Sequence, residues 1–473
     1  MKYKIIVLGL ESIGSNFSRE LMRYLACYKN ESGNDATVSF VDSAEVDERD
    51  LYNQFYLKQD IGYNKAATMK MIWESVFKKT DNLKVQAYSH TFTSMEQTKT
   101  NFLCYIGTGY YDNARLNIII VDEKWSKEER VNIYKTFQTL DDAILIIVHD
   151  QGISIAYRSL GLDVIKFSDE KAVYNEKQCF TLGESLFYSH LLFTYVVNIL
   201  SNKEIGVERL LMNYSKMATG KERNFPPVMD SKLYQYERKG KTALVCVGVG
   251  GTGGNFCKDA VKIILKHDDV ELLMIDGDRV EKKNCIRQPF GEKDVLQFKA
   301  DIMKEQLIVD YPELKARIKS FPCYLDSVEQ LQACISEMNA TNVILIGCVD
   351  NHRARQVMHQ YYHKRETIIY MDSANEFSVG EVVISLKRDK EELSPLRSYY
   401  YPDVLTDNGP SASELSCGVV NESSPQHQVT NVAAAHIMIA HLERFLFTGL
   451  IEGGIEYFNS FSYFARFQPW ECI

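Results

Sequence analysis

A short apolar strand, a glycine turn and a helical pattern follow one another twice in this chain, more than two hundred residues apart. The first copy reads Ile6-Val7-Leu8-Gly9-Leu10-Glu11-Ser12-Ile13-Gly14-Ser15-Asn16-Phe17. The second reads Leu244-Val245-Cys246-Val247-Gly248-Val249-Gly250-Gly251-Thr252-Gly253-Gly254-Asn255-Phe256. Gly9 aligns with Gly248, Gly14 with Gly253 and Asn16 with Asn255, all at an offset of 239. A second strand follows in each copy, and there Asp42 aligns with Asp276, Gln54 with Gln288 and Lys65 with Lys299, at an offset of 234. A third apolar strand leads to Asp122 in one half and Asp350 in the other, which aligns them at 228. Internal similarity of this kind means that one architecture is built twice.

In each half strands alternate with helices, which argues a parallel sheet covered by helices. The fold class is therefore α/β, with two tandem Rossmann-like domains, expected to pack as an internal pseudo-dimer. Each half closes with a long helix, about 183–202 and 429–447. Residues 205–240 are polar and include Pro226 and Pro227, so they read as a linker. The expected domains are 1–204 and 241–473, with a long polar loop over 387–428 in the second.

Composition removes several classes of function. With 54 basic and 63 acidic residues the formal net charge is −9, and no basic run stands out, so no nucleic-acid partner is expected. Eleven cysteines without any Cys-x-x-Cys pair fit neither a secreted disulfide scaffold nor a structural zinc site. A reducing, cytoplasmic setting follows. The apolar run after Met1 is ended by Glu11, too soon for a signal-peptide core. The stretch Leu191–Leu200 carries Thr194 and Asn198 and is too short to span a bilayer, so no membrane partner is expected.

Gly248, Gly250, Gly251 and Gly253 lie between a strand and a helix, where backbone N–H groups and the helix dipole can cradle a phosphate. Alone, the pattern fits NAD and FAD sites as well as ATP sites, or a purely structural turn. Asp276, at the end of the next strand, is placed to hold ribose hydroxyls in any of these. The run that follows favours a triphosphate: Asn284, Arg287 and Gln288, then Lys299, supply polar and cationic groups. Asp350 follows directly on the third strand, where a carboxylate can hold magnesium against ATP phosphates or can cap the next helix.

This set resembles the adenylating domain shared by ubiquitin-activating enzymes and the bacterial ThiF and MoeB proteins. The matching residues are the glycine run at 248–253, Asp276 and Asp278, Asn284, Arg287 and Gln288, Lys299, and Cys348-Val349-Asp350-Asn351 with Arg355. The resemblance covers about 241–447, with a degraded copy over 1–202. It implies that ATP and magnesium are used to adenylate the C-terminal glycine of a ubiquitin-like protein, with release of pyrophosphate. By position Asp276 would hold the ribose, Asn284, Arg287, Gln288 and Lys299 would surround the phosphates, and Asp350 would organise the magnesium.

In the first half Glu11 stands at the place of Gly250, Asn53 at Arg287, Asp50 at Asn284 and Ala44 at Asp278. That half is expected not to bind ATP. Ser416-Cys417-Gly418 and Pro425-Gln426-His427 lie in the long loop. Activating enzymes such as those for SUMO carry their catalytic cysteine in a similar setting, so Cys417 is the expected nucleophile, with His427 as a helper. The chain lacks the large cysteine-bearing insertion of eukaryotic relatives, so it resembles a compact, bacterial-type activating enzyme. Use of a conjugating enzyme and a further homodimer are both left open. The competing readings are a sulfur-carrier adenylyltransferase of cofactor synthesis and a nicotinamide-dependent oxidoreductase.

Overall fold

The computed structural model describes residues 2–32, 35–76, 83–106, 116–122, 124–140, 142–149, 152–157, 180–201, 209–407 and 427–472. The chain forms two compact units, Met1–Asn213 with Gly220–Phe225, and Tyr214–Thr219 with Pro226–Ile473.

The first unit runs β1 (Lys2–Leu8), α1 (Ser12–Ser32), β2 (Asp35–Val41), α2 (Lys65–Val76), β3 (Leu83–Tyr88), α3 (Met95–Ile106), β4 (Leu116–Val121), α4 (Lys127–Phe137), β5 (Ala143–His149), β6 (Gly152–Tyr157), α5 (Leu182–Leu200) and β7 (Arg209–Asn213). Its strand order is β3-β2-β1-β4-β5-β6-β7, parallel from β3 to β5 and antiparallel beyond. The Ile-Val runs of β4 and β5 are buried on both faces, as strands of a helix-covered parallel sheet must be. The closing helix α5 packs on α1, and Ser189 Oγ donates to the carbonyl of Ile13 at 3.1 Å.

The second unit repeats this plan. β8 (Ala218–Lys221) is divided between the two units; then come β9 (Leu233–Gln235), β10 (Thr242–Val247), α6 (Gly251–Lys266), β11 (Val270–Ile275), α7 (Asn284–Arg287), α8 (Lys299–Asp310), β12 (Ile318–Phe321), α9 (Val328–Ser336), β13 (Asn342–Gly347), α10 (His352–Lys364) and β14 (Ile368–Asn375). Then follow β15 (Val379–Arg388), β16 (Glu391–Ser394), α11 (Arg397–Tyr400), α12 (Asp403–Thr406), α13 (Gln428–Thr448), β17 (Leu450–Glu452), β18 (Gly454–Asn459) and β19 (Phe464–Pro469). The order β12-β11-β10-β13-β14 is parallel, and β15, β18 and β19 continue it antiparallel. The direction of the strand order therefore reverses at β10 in this unit, as it does at β1 in the first. Such reversal points open a crevice at the strand C-termini.

Two boundaries differ from the sequence reading. The expected linker carries strands: β7 pairs with β6, and β9 pairs with β17. Alternate apolar side chains (Leu210 and Met212, then Tyr234) bury themselves there, although the segment is polar on average. The expected loop 387–428 is structured through residue 407 by β16, α11 and α12. Leu393, Leu396 and Val404 supply its buried anchors.

Register also corrects one alignment. Leu8 lies beside Val41 and Val121, and Val247 lies beside Ile275 and Gly347. Asp42 and Asp276 thus correspond, as expected. Asp122, however, corresponds to Cys348, and the counterpart of Asp350 is Lys124. The loop lengths before the third strand hide this two-residue shift in the sequence.

Candidate functional site

The glycine turn between β10 and α6 forms the floor of a cleft in the second unit. Gly248 has φ +86°, and its N–H donates to the carbonyl of Ile275 at 2.8 Å. A Cβ at Gly248 would lie 2.6 Å from the carbonyl oxygen of Cys348, and one at Gly253 would lie 1.9 Å from that of Gly248. A Cβ at Gly251 would strike Asn431 at 2.1 Å. Chain packing itself therefore demands these three glycines. Gly250 is different, because a Cβ there meets nothing nearer than Gln288 at 3.7 Å. Its bareness leaves room in the cleft. No side chain caps the start of α6, so its first N–H groups are available to an anion.

Around this floor the cleft encloses about 1000 Å³, counting space open to solvent. Asp276 stands at the end of β11 and accepts from the N–H of Val249 at 2.6 Å and of Asp278 at 2.8 Å. Burial pushes its carboxyl up to about 6, against the pull of Lys299. Lys299 opens α8 and is buried, with Nζ 2.7 Å from Asp278 Oδ2. Burial alone would lower this ammonium, but Asp276, Asp278 and Asp350 more than offset that and raise its pKa. Tyr324 Oη donates to the other oxygen of Asp278 at 2.9 Å.

Asp350 and Arg353 are both exposed on the cleft wall. Asn351, not Asp350, caps α10, accepting from the N–H of Ala354 at 2.8 Å. The Asp350 carboxylate is thereby left clear for a ligand. Arg353 forms no ion pair among the described residues. Arg355 points away into the core, donating to the carbonyls of Val349 at 2.6 Å and Ser373 at 2.9 Å and to Asp372 at 3.3 Å. Its role is to hold the turn that presents Asp350.

Other expected site residues divide. Gln288 lines the cleft beside Gly250, with its Oε1 buried and unpartnered. Asn284 is not part of the cleft wall: it is buried, and its Oδ1 accepts from the N–H of Glu281 at 2.8 Å. Asp50 makes the same local cap in the first unit, accepting from Asp47 N–H at 2.9 Å, which is why a short polar residue stands at both places. Arg287 lies in α7, and its side chain is outside the described residues. Cys417 also lies outside them. His427 is the N-cap of α13, accepting from the N–H of Val429 on Nδ1 at 3.2 Å, and it packs edge-on against Phe377.

Sequence reasoning missed Tyr324, Thr252, Asn375 and Asn431. Asn375 Nδ2 donates to Thr252 Oγ1 at 2.7 Å, and Thr252 in turn meets Asn431 Oδ1 at 3.4 Å. This small network ties the start of α6 to β14 and α13. Its members come from three distant segments, and no local pattern joins them.

In the first unit the equivalent cleft is filled by its own side chains. The Asp122 carboxylate accepts from the N–H of Glu11 at 3.0 Å and of Gly14 at 3.1 Å, so it sits at the start of α1 as a built-in anion. Glu11 pairs with Lys65 at 2.7 Å, and Lys65 also meets Asp50 at 3.1 Å. Gln54 donates to Glu11 at 2.9 Å. Asp42 keeps the same two backbone contacts as Asp276, from Leu10 and Ala44, but it is also clamped by Lys124. Among the described residues, Glu11, Asp50 and Asp42 are each paired with a lysine of this unit, and Asp122 occupies the N–H groups at the start of α1.

The second unit is thus a Rossmann-like α/β domain with a glycine turn at its strand reversal. Residues 223–442 match the ThiF family. Among solved structures, a crystal structure of selenomethionine PaaA aligns at 15% identity over 48% of this chain and 72% of that one, with a TM-score of 0.35. E. coli MccB with succinimide aligns at 15% identity over 48% of this chain and 63% of the MccB chain, also at 0.35. The alignment therefore spans less than two thirds of MccB. No curated protein matches the chain. Among the described residues no helix is long and apolar enough to cross a membrane.

Proposed function

We propose that the second unit uses ATP to adenylate the C-terminal carboxylate of a ubiquitin-like protein, and that the first unit is a non-binding copy. The observation that carries this reading is the contrast between two clefts of one architecture. In one, a bare glycine, an uncapped helix start, a buried lysine and exposed Asp350 and Arg353 face open space. In the other, Asp122 fills the helix start, Lys65 is paired with Glu11 and Lys124 with Asp42.

Asp276 would hold ribose hydroxyls, and Lys299, Gln288 and Arg353 would line the phosphates, with Arg287 joining them by resemblance. These cations matter because a carboxylate attacking an α-phosphate is a like-charge approach. The new bond joins the carboxylate oxygen to the α-phosphorus, and the bond to the β-phosphate breaks as pyrophosphate leaves. Magnesium fits the donor set, because Asp350 is an exposed carboxylate on the cleft wall. Magnesium is commonly held by one or two carboxylates plus substrate phosphates. When bound, it supplies further neutralisation of phosphate charge. Cys417 would then take the acyl group as a thioester with loss of AMP.

Magnesium–ATP and ubiquitin-fold proteins from the same host, run on a non-reducing gel, test the sequence of steps. A thiol-sensitive adduct lost in Cys417→Ala and Asp350→Ala is expected, with ATP–pyrophosphate exchange kept in Cys417→Ala. Exchange without any adduct would favour a sulfur-carrier adenylyltransferase. NADH fluorescence enhancement without ATP binding would contradict the adenylation reading.

Gly250→Glu copies the first unit's Glu11 into the open cleft. Its Cβ has space, so the melting temperature should move little. Magnesium–ATP affinity should fall about 100-fold, since a carboxylate then faces phosphate. Calorimetric titration beside a thermal scan checks both halves of the statement.

A further inference from the structure

The network at the start of α6 sets the direction of one hydroxyl. Thr252, the second residue of α6, lies on the cleft wall with only 6% of its surface exposed. Asn375 Nδ2 donates to Thr252 Oγ1 at 2.7 Å and so fills an acceptor position of that oxygen. The hydroxyl is left to act as a donor. Its acceptor is Asn431 Oδ1 at 3.4 Å, well beyond the usual O–H···O distance of about 2.8 Å. Asn431 Oδ1 also lies 3.5 Å from the Asn375 amide nitrogen. A closer acceptor in the cleft would therefore take the Thr252 proton at little cost.

Strand order places this hydroxyl away from the ribose acid. β11, which leads into Asp276, flanks β10 on one side, whereas β13 and then β14, which ends in Asn375, lie on the other. Lys299 and Asp278 belong to the β11 side, and Thr252 and Asn375 bring neutral donors. Neutral donors suit a carboxylate that must stay nucleophilic, because a full countercharge would hold back its electron pair. The same side leads towards the proposed acceptor of the acyl group. α13, with Asn431 in its first turn, is the first described element after Cys417 in the chain. The non-binding copy lacks the hydroxyl: Thr252 aligns with Ile13, at the offset that joins Gly14 to Gly253, and Ile13 is fully buried.

We infer that the Thr252 hydroxyl holds the C-terminal carboxylate of the protein substrate for its attack on ATP, and that Asn375 is the positioning residue that aims it. This rests on the adenylation reading above. One carboxylate oxygen forms the bond to the α-phosphorus, and the bond from that phosphorus to the bridging oxygen breaks, its electron pair leaving with pyrophosphate. The other carboxylate oxygen becomes the acyl carbonyl and keeps the hydrogen bond from Thr252. The Thr252 proton is not transferred.

N-acetylglycyl-sulfamoyl-adenosine, in which a sulfamate stands for the phosphate of the glycyl adenylate, tests that contact without the carrier protein. Titrated into the purified chain, it should bind Thr252→Val about tenfold more weakly than wild type, the order expected for one lost hydrogen bond. Magnesium–ATP affinity should stay within about twofold, because no acyl oxygen is then present to lose a donor. Thr252→Ser should restore binding of the mimic, and Thr252→Ala replaces the valine variant if that one fails to fold. Asn375→Ala should weaken the mimic too, but add little in the Thr252→Val background, since both act through one hydroxyl. Fully additive losses overturn the positioning role of Asn375. Equal losses for both ligands, or no loss for the mimic, overturn the role of Thr252 and leave the nucleotide reading standing. Wild type that binds neither ligand overturns the adenylation reading and this inference with it.

Discussion

Lys299→Met is expected to lower magnesium–ATP affinity about 100-fold or more while the chain stays folded. Lys299 is the one buried cation described in the cleft, 2.7 Å from Asp278 and within the field of Asp276 and Asp350. Without it, three carboxylates face the cleft with no buried countercharge. The Asp276 carboxyl, already pushed up to about 6 by burial, would rise further because Lys299 is the chief influence holding it down. Phosphate would then approach acids where it had met an ammonium. Truncating a buried charge partner costs a few kcal/mol, and loss of a donor aimed at developing charge costs about 100- to 1000-fold. Lys299→Arg should keep part of the affinity, since the charge stays but the fork fits the site poorly. Calorimetric titration reads the effect. A change under about threefold would remove Lys299 from the phosphate site.

Asp372→Asn is expected to cost about 3–5 kcal/mol of stability, the range for breaking a buried ion pair. Asp372 is fully buried within β14, where it accepts from Arg397 Nε at 2.6 Å and from Arg355 Nε at 3.3 Å. Arg397 also reaches Glu381 at 2.7 Å and the Asp372 carbonyl at 2.8 Å. Neutralising the carboxylate leaves two buried guanidiniums with Glu381 as the nearest acid. Burial alone would raise the Asp372 carboxyl, but Arg397 and Arg355 more than offset that and hold it below the ordinary aspartate value. A carboxyl with a depressed folded pKa stabilises the fold above its unfolded value and loses that contribution as pH falls through the folded one. Urea unfolding at neutral pH should show the full loss, and the difference between wild type and variant should shrink in acid. A loss below about 1 kcal/mol would mean that the network breaks even against its desolvation cost. The same network seats α11, from which the chain leads towards Cys417.

Much of this was legible in the sequence because the repeat carries it. Gly9 and Gly248, and Asp42 and Asp276, fall at matching places because both turns need the same left-handed glycine and the same carboxylate accepting two backbone N–H groups. The degeneracy of the first cleft was also visible in Glu11. Its completeness was not. Asp122 was aligned with Asp350, whereas strand register sets it at Cys348 and turns it into an anion at the start of α1. Lys124, the true counterpart of Asp350, was unremarkable as a surface-type residue until it closed on Asp42. Spacing cannot tell a local backbone contact from a ligand contact: Asn284 is buried on the N–H of Glu281, away from the cleft wall, while Asn351 lines the cleft and caps α10 as well. Tyr324 and Asn375 reach the site only through the tertiary fold, so no period in the sequence announces them.

One cleft is expected to bind nucleotide, and its copy is not. Titration of magnesium–ATP into the purified chain, with stoichiometry as the readout, tests it most directly. One site per chain is expected, lost in Lys299→Met and in Gly250→Glu. Two sites per chain, or one site that survives both substitutions, would contradict it.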